Sequence, residues 1–96
     1  MAKKRERLEV IRDILEATRS NRKIKPTRLL YASNLSPQMF KEYIGELLAK
    51  GFIKDIIEES KKKSKKDQKY FVITIKGNNF LQEYKVIEGF VENFGL

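Results

Sequence analysis

The sequence predicts a mainly helical protein that carries one small β-hairpin and ends in a long amphipathic helix. Three observations carry that prediction. Residues 26–51, PTRLLYASNLSPQMFKEYIGELLAKG, read as a short helix, a tight polar turn and a longer helix stopped by a glycine. Two β-rich stretches then flank ESKKKSKKDQ, residues 59–68, a run without one apolar side chain. Finally, Phe80, Tyr84, Ile87, Val91 and Phe94 recur at spacings of four, three, four and three, which is a heptad seam.

Leu8, Ile11, Ile14 and Leu15 repeat at helical spacing, giving a first helix over residues 5–19. Ser20, Asn21 and Arg22 favour a turn, and Ile24 is expected to add a residue or two of strand before Pro26. Pro26 opens the second helix, where its missing N–H costs nothing, and that helix ends near Ser33. Asn34 and Leu35 make the turn, with Leu35 tucked between the helices. Ser36 is the expected N-cap of the third helix and Pro37 its first residue. Met39 stands where a capping box would have Glu or Gln, so the box is incomplete. Phe40, Ile44, Leu47 and Leu48 form the core-facing stripe, and Gly51 is the left-handed stop after residue 50. The strands are expected over residues 52–58 and 69–75, joined by a long basic tip. Thr74 caps a last helix over residues 75–94.

Ninety-six residues make one small domain with a modest core, and 41% apolar content argues for a folded chain. Neither Cys nor His occurs. That removes disulfides, thiolate nucleophiles, the usual zinc ligands and every Ser-His-Asp or Cys-His arrangement. The expectation is therefore no catalytic residue, no metal, no cofactor and no enzyme, and no small-molecule site is readable. No apolar run approaches the ~18 residues that span a bilayer, and the basic start lacks the apolar segment of a secretion signal. The expected location is the cytoplasm, at the nucleoid.

Twenty-one Lys and Arg against 13 Asp and Glu leave a net charge of +8. Residues 75–96 hold Lys76 and Lys85 against Glu83, Glu88 and Glu92, a net of −1, so residues 1–74 carry +9. A polyanion is the first partner to expect, and the last helix is built for another task.

Helix, helix, turn, helix and hairpin is the order of a winged helix-turn-helix domain, and three motifs sharpen the resemblance. LLAKGFI, residues 47–53, looks like the end of a winged-helix recognition helix entering the first wing strand. YFVITIKGNNFL, residues 70–81, is similar to a second wing strand running into a threonine-capped helix. KPTRLLYASNLS, residues 25–36, resembles the helix-turn segment of small archaeal winged-helix proteins. Over nearly its whole length the chain resembles the archaeal winged-helix DNA-binding proteins of the chromatin or regulator type. The resemblance implies a DNA-binding domain over residues 1–74. It also implies a dimerisation helix over residues 75–96, forming an antiparallel intermolecular coiled coil with its twin.

On the recognition helix, the face opposite Phe40, Ile44 and Leu47 holds Gln38, Glu42, Gly45 and Glu46, with Lys41 and Met39 at its edges. Gln bonds an adenine edge in two places and Lys reaches guanine or a phosphate. The helix N-terminus at Ser36 and Pro37 suits a phosphate. Glu42 and Glu46 repel the backbone unless they accept from a cytosine amine, so modest sequence preference is expected. The rival reading is an ordinary solvated face.

Lys61, Lys62, Lys63, Lys65 and Lys66 would neutralise phosphates without regard to sequence, the rival being a loop kept soluble by its charge. Arg22, Lys23, Lys25 and Arg28 cluster before and within the second helix, where Thr27 and Tyr31 add neutral phosphate bonds. Lys3, Lys4 and Arg5 form a loose arm. Phe80, Tyr84, Ile87, Val91 and Phe94 are expected at a homodimer seam, because leaving the last three in water exposes an apolar patch. The rival is that all ten apolar residues of the last helix pack within their own domain. The expected function is non-enzymatic binding of double-stranded DNA by a homodimer, as a transcriptional regulator or a chromatin-associated protein. A protein-interaction adaptor and an RNA-binding module stay open beside it.

Overall fold

The computed structural model describes residues 6–59 and 68–96. Its elements are α1 (Arg7–Ser20), α2 (Pro26–Ser33), α3 (Pro37–Ala49), β1 (Ile53–Glu58), β2 (Gln68–Ile73) and α4 (Ile75–Asn93). The architecture is mainly helical with a two-stranded wing, as the pattern predicts, and each element ends within two residues of its expected bounds.

Helix α1 buries Val10, Ile11, Ile14, Leu15 and Thr18 along one stripe. Thr18 is polar but satisfied, its Oγ1 donating to the Ile14 carbonyl at 2.8 Å. Leu8, read as part of that stripe, is instead 52% exposed. It lies in the first turn of α1, across an open groove from Ile87 and Val91, where none of the described residues closes over it.

Pro26 begins α2, and Asn34 ends it in the left-handed conformation (φ 54°) that Asn tolerates. Leu35 then packs partly buried against the core. Ser36 Oγ accepts from the Met39 N–H at 3.3 Å, the cap that the sequence predicts for α3. At the other end Gly51 takes φ 78°, and the Phe52 N–H donates to the Leu47 carbonyl at 2.9 Å. That turn delivers Phe52 and Ile53 directly into the wing.

Strands β1 and β2 pair antiparallel in the register Ile53↔Ile73 through Glu58↔Gln68. Ile24 adds the expected strand residue as a single bridge to Phe71, with mutual N–H to carbonyl bonds of 3.0 and 2.8 Å. Ile14, Leu15, Leu29, Leu47 and Ile53 are the most deeply buried large aliphatics, so the core lies where the three helices meet the base of the wing.

Thr74 ends β2 and caps α4, its Oγ1 accepting from the Gly77 N–H at 3.1 Å. Helix α4 has 19 residues and so runs about 28 Å at ~1.5 Å per residue. Its first half belongs to the core: Leu81 is buried and Phe80 meets Phe52 edge-on at 5.5 Å. In the middle, Arg12 of α1 donates to Glu88 at 2.8 Å and lies over the Tyr84 ring at 5.3 Å. Burial there raises the Tyr84 phenol above its ordinary pKa. The heptad seam is thus divided. Phe80 and Tyr84 pack within their own domain, while Ile87, Val91 and Phe94 are 58%, 38% and 68% exposed.

Candidate nucleic-acid interface

The N-terminal half of α3 presents polar groups that are not spent inside the fold. Pro37, Gln38, Lys41 and Glu42 line one shallow, open depression, so three of the expected contact residues stand together. Ser36 is exposed just before them, its hydroxyl oxygen already accepting from Met39. Gln38, Lys41 and Glu42 have no hydrogen-bond or ion-pair partner through their side chains among the described residues. An exposed amide and an ammonium one turn apart, beyond a capped N-terminus, suit base edges and phosphates.

Glu46 behaves differently from the outward carboxylate that the helical wheel suggests. It is half-buried and pairs with Arg7 of α1, and Lys50 Nζ lies 3.0 Å from its Oε1. Arg7 also lies 5.9 Å from the Tyr43 ring centroid. The first turn of α1 thus covers this side of α3 and neutralises one of its two outward carboxylates. Glu42 keeps its charge facing solvent.

On α2, Thr27 and Arg28 are exposed, and Tyr31 is exposed to 79%. Lys25 and Arg28 have no ion-pair partner among the described residues. Lys23, grouped with them in the sequence, is committed elsewhere. Its ammonium is held by Glu58 at the end of β1 and lies 4.7 Å from the Tyr70 ring centroid. The hydrogen bond that Lys23 donates to Glu58 holds Lys23 above its ordinary pKa. It fastens the α1–α2 connection to the wing.

Lys61, Lys62, Lys63, Lys65 and Lys66, and the arm of Lys3, Lys4 and Arg5, lie outside the described residues. One exposed cation went unmarked in the sequence: Lys54 on β1 lacks an ion-pair partner among the described residues. A single lysine alternating in a strand is ordinary, so no motif singles it out. No helix among the described residues is long and apolar enough to cross a membrane.

Comparison with known proteins agrees with this architecture. The crystal structure of Sso10a-2, a DNA-binding protein from Sulfolobus solfataricus, superposes with a TM-score of 0.69 at 23% identity, covering 94% of this chain and 85% of that one. Two uncharacterized proteins of Methanocaldococcus jannaschii, MJ0290 and MJ0287, are 41% and 45% identical over 51 residues, 53% of this chain. Those segments make up 24% and 52% of the two relatives, so the match spans at most about half of their length. The family model described as winged helix-turn-helix matches residues 4–91, from the start of α1 almost to the end of α4. With the capped α3, the hairpin wing and that match together, the chain belongs to the winged helix-turn-helix family.

Proposed function

We propose that this chain binds duplex DNA without catalysing a reaction, as a homodimer, in the role of a transcriptional regulator or a chromatin-associated protein of the cytoplasm. The outer face of α3 carries the reading: Gln38 and Lys41 project beside a capped helix start and are not spent inside the fold. Thr27, Arg28, Ser36 and Pro37 flank them as phosphate contacts, and the lysines at 61–63, 65 and 66, outside the described residues, add positive charge for further phosphates. The shared fold with a DNA-binding protein supports the same ligand class.

In this reading residues 1–74 engage DNA and residues 75–96 carry the dimer seam. Ile87, Val91 and Phe94 supply the seam's uncovered part, which a second α4 would hide from water. A protein-interaction adaptor is the second reading. It is favoured by Glu42, a carboxylate without a cation partner among the described residues on the face that would meet a polyanion.

Titration of a short duplex at several salt concentrations tests the proposal. If each protomer neutralises about six phosphates, log affinity falls against log salt with a slope near −5 per protomer. Replacing Lys61, Lys62 and Lys63 together by Ala should make that slope shallower by about 3 and weaken all duplex sequences alike. Binding that ignores salt overturns the electrostatic account, and an adaptor would keep its partner when the three lysines are gone. Preferential competition by structured RNA would reassign the ligand.

A further inference from the structure

Gly45 stands in the third turn of α3, on the exposed face that also carries Gln38, Lys41 and Glu42. A glycine inside a helix is costly, because it loses more backbone freedom on folding than any other residue. The other glycines of known surroundings in the fold mostly show why they are there. Gly51 and Gly95 take positive φ, and Gly77 is crowded by neighbouring atoms. Gly45 has neither reason. Its φ is not in the left-handed region, and a Cβ built there meets no atom within 4 Å. Among the described residues nothing excludes a side chain at this position.

Glycine is also the residue that lets a backbone approach a ligand closely. We propose that Gly45 is the point of closest approach between α3 and the base edges of the major groove, its missing side chain letting the helix settle deeper. This deepens the proposed DNA-binding role and rests on it. In this arrangement Lys41 and Gln38, one and two turns earlier, reach the groove because the helix behind them is not held away. Gly89 in α4 is equally uncrowded, and Gln82 and Lys85 precede it at the same spacing, but it lies outside the proposed DNA-binding region, which makes it a matched control.

Gly45→Ala, Gly45→Leu and Gly89→Ala, each in the full chain, are compared with the wild type by thermal melting and by fluorescence anisotropy on a labelled duplex. The Gly45 variants should melt about 3–6 °C higher, as expected when a helix former replaces glycine in a domain of this size. Their duplex affinity should fall, about tenfold or more for Ala and further for Leu. Gly89→Ala should gain stability and keep its affinity.

A more stable Gly45→Ala that binds as tightly as the wild type overturns the inference alone. A Gly45→Ala that melts lower also overturns it, since the glycine then serves the fold. Equal loss of affinity in Gly89→Ala would trace the effect to helix stiffening and overturn it as well. A wild type that binds no duplex overturns the proposed function, and this inference with it.

Discussion

A Cβ at Gly77 would collide with the carbonyl oxygen of Phe52. That same carbonyl accepts from the Thr74 N–H at 3.1 Å and from Thr74 Oγ1 at 2.9 Å. The exit of α3, the end of the wing and the start of α4 are thereby tied at one point. Lys76 adds a bond from its Nζ to the Lys50 carbonyl at 2.7 Å. A Cβ on Gly77 would also come within 2.7 Å of Ile73 Cγ1.

Gly77→Ala should therefore destabilise the protein. Ala is the better helix former by roughly 0.5–1 kcal/mol, but overpacking costs about 1–3 kcal/mol and the obstacle includes backbone that cannot swing aside. The net loss is expected near 1–2 kcal/mol, a fall in melting temperature of about 5–15 °C. Gly45→Ala should move the other way, so thermal melts of the two variants read the difference between a crowded and an open glycine.

The junction at Gly77 also marks how far the sequence could be read. Ser36 before Pro37 and Thr74 before Ile75 were legible as caps because each acts within three residues of itself. The heptad spacing of α4 was legible too, since it needs only the sequence. What could not be read depends on packing between distant segments. Glu46 has the position of an outward carboxylate on a helical wheel, and the approach of Arg7 on α1 ties it into an ion pair between two helices. Lys23 looked like one of four phosphate-binding cations until Glu58 took it. The seam was seen whole, but α1 and the wing cover Phe80 and Tyr84 and leave Ile87, Val91 and Phe94 open.

That division separates two roles along one helix. Leu81 is buried in the core, so Leu81→Ala should cost about 2–5 kcal/mol, much of the stability of a small domain. Replacing Ile87 and Val91 together by Asp should leave each domain folded. If α4 pairs with a second copy, the wild-type melting temperature rises with protein concentration, and the double variant loses that dependence and sediments as a monomer. A wild type that is monomeric at every concentration would sink the dimer.

Lys23 and Tyr84 set the behaviour at high pH. Both have folded pKa values raised above their ordinary 10.5 and 10.0, Lys23 by its hydrogen bond to Glu58 and Tyr84 by burial. A raised folded pKa means that the native state holds the proton more tightly. The stabilising contribution is full below the unfolded pKa and is lost as pH rises through the folded value. Melting temperature should thus decline above about pH 10 through these two groups, and the variant carrying Lys23→Met and Tyr84→Phe should show a smaller decline. Thermal melts from about pH 9 to pH 11.5 measure it.

The two carboxylates of α3 give the sharpest prediction about the binding face. Glu42 faces solvent without a cation partner among the described residues, whereas Glu46 is held by Arg7 and Lys50. Two unit charges about 4 Å apart in water interact by about 1 kcal/mol, a factor of roughly five in affinity. Glu42→Gln should tighten binding to an arbitrary duplex by about that factor, because one repulsion against phosphate disappears. It should also narrow the difference between duplex sequences if the carboxylate accepts from a cytosine amine. Glu46→Gln should gain much less affinity and lose a little stability, as exposed ion pairs contribute at most about 1 kcal/mol. Anisotropy titrations of both variants on two unrelated duplexes separate these outcomes. Equal gains would mean that Arg7 and Lys50 do not shield Glu46 from the duplex, and that α1 leaves both carboxylates on the binding face.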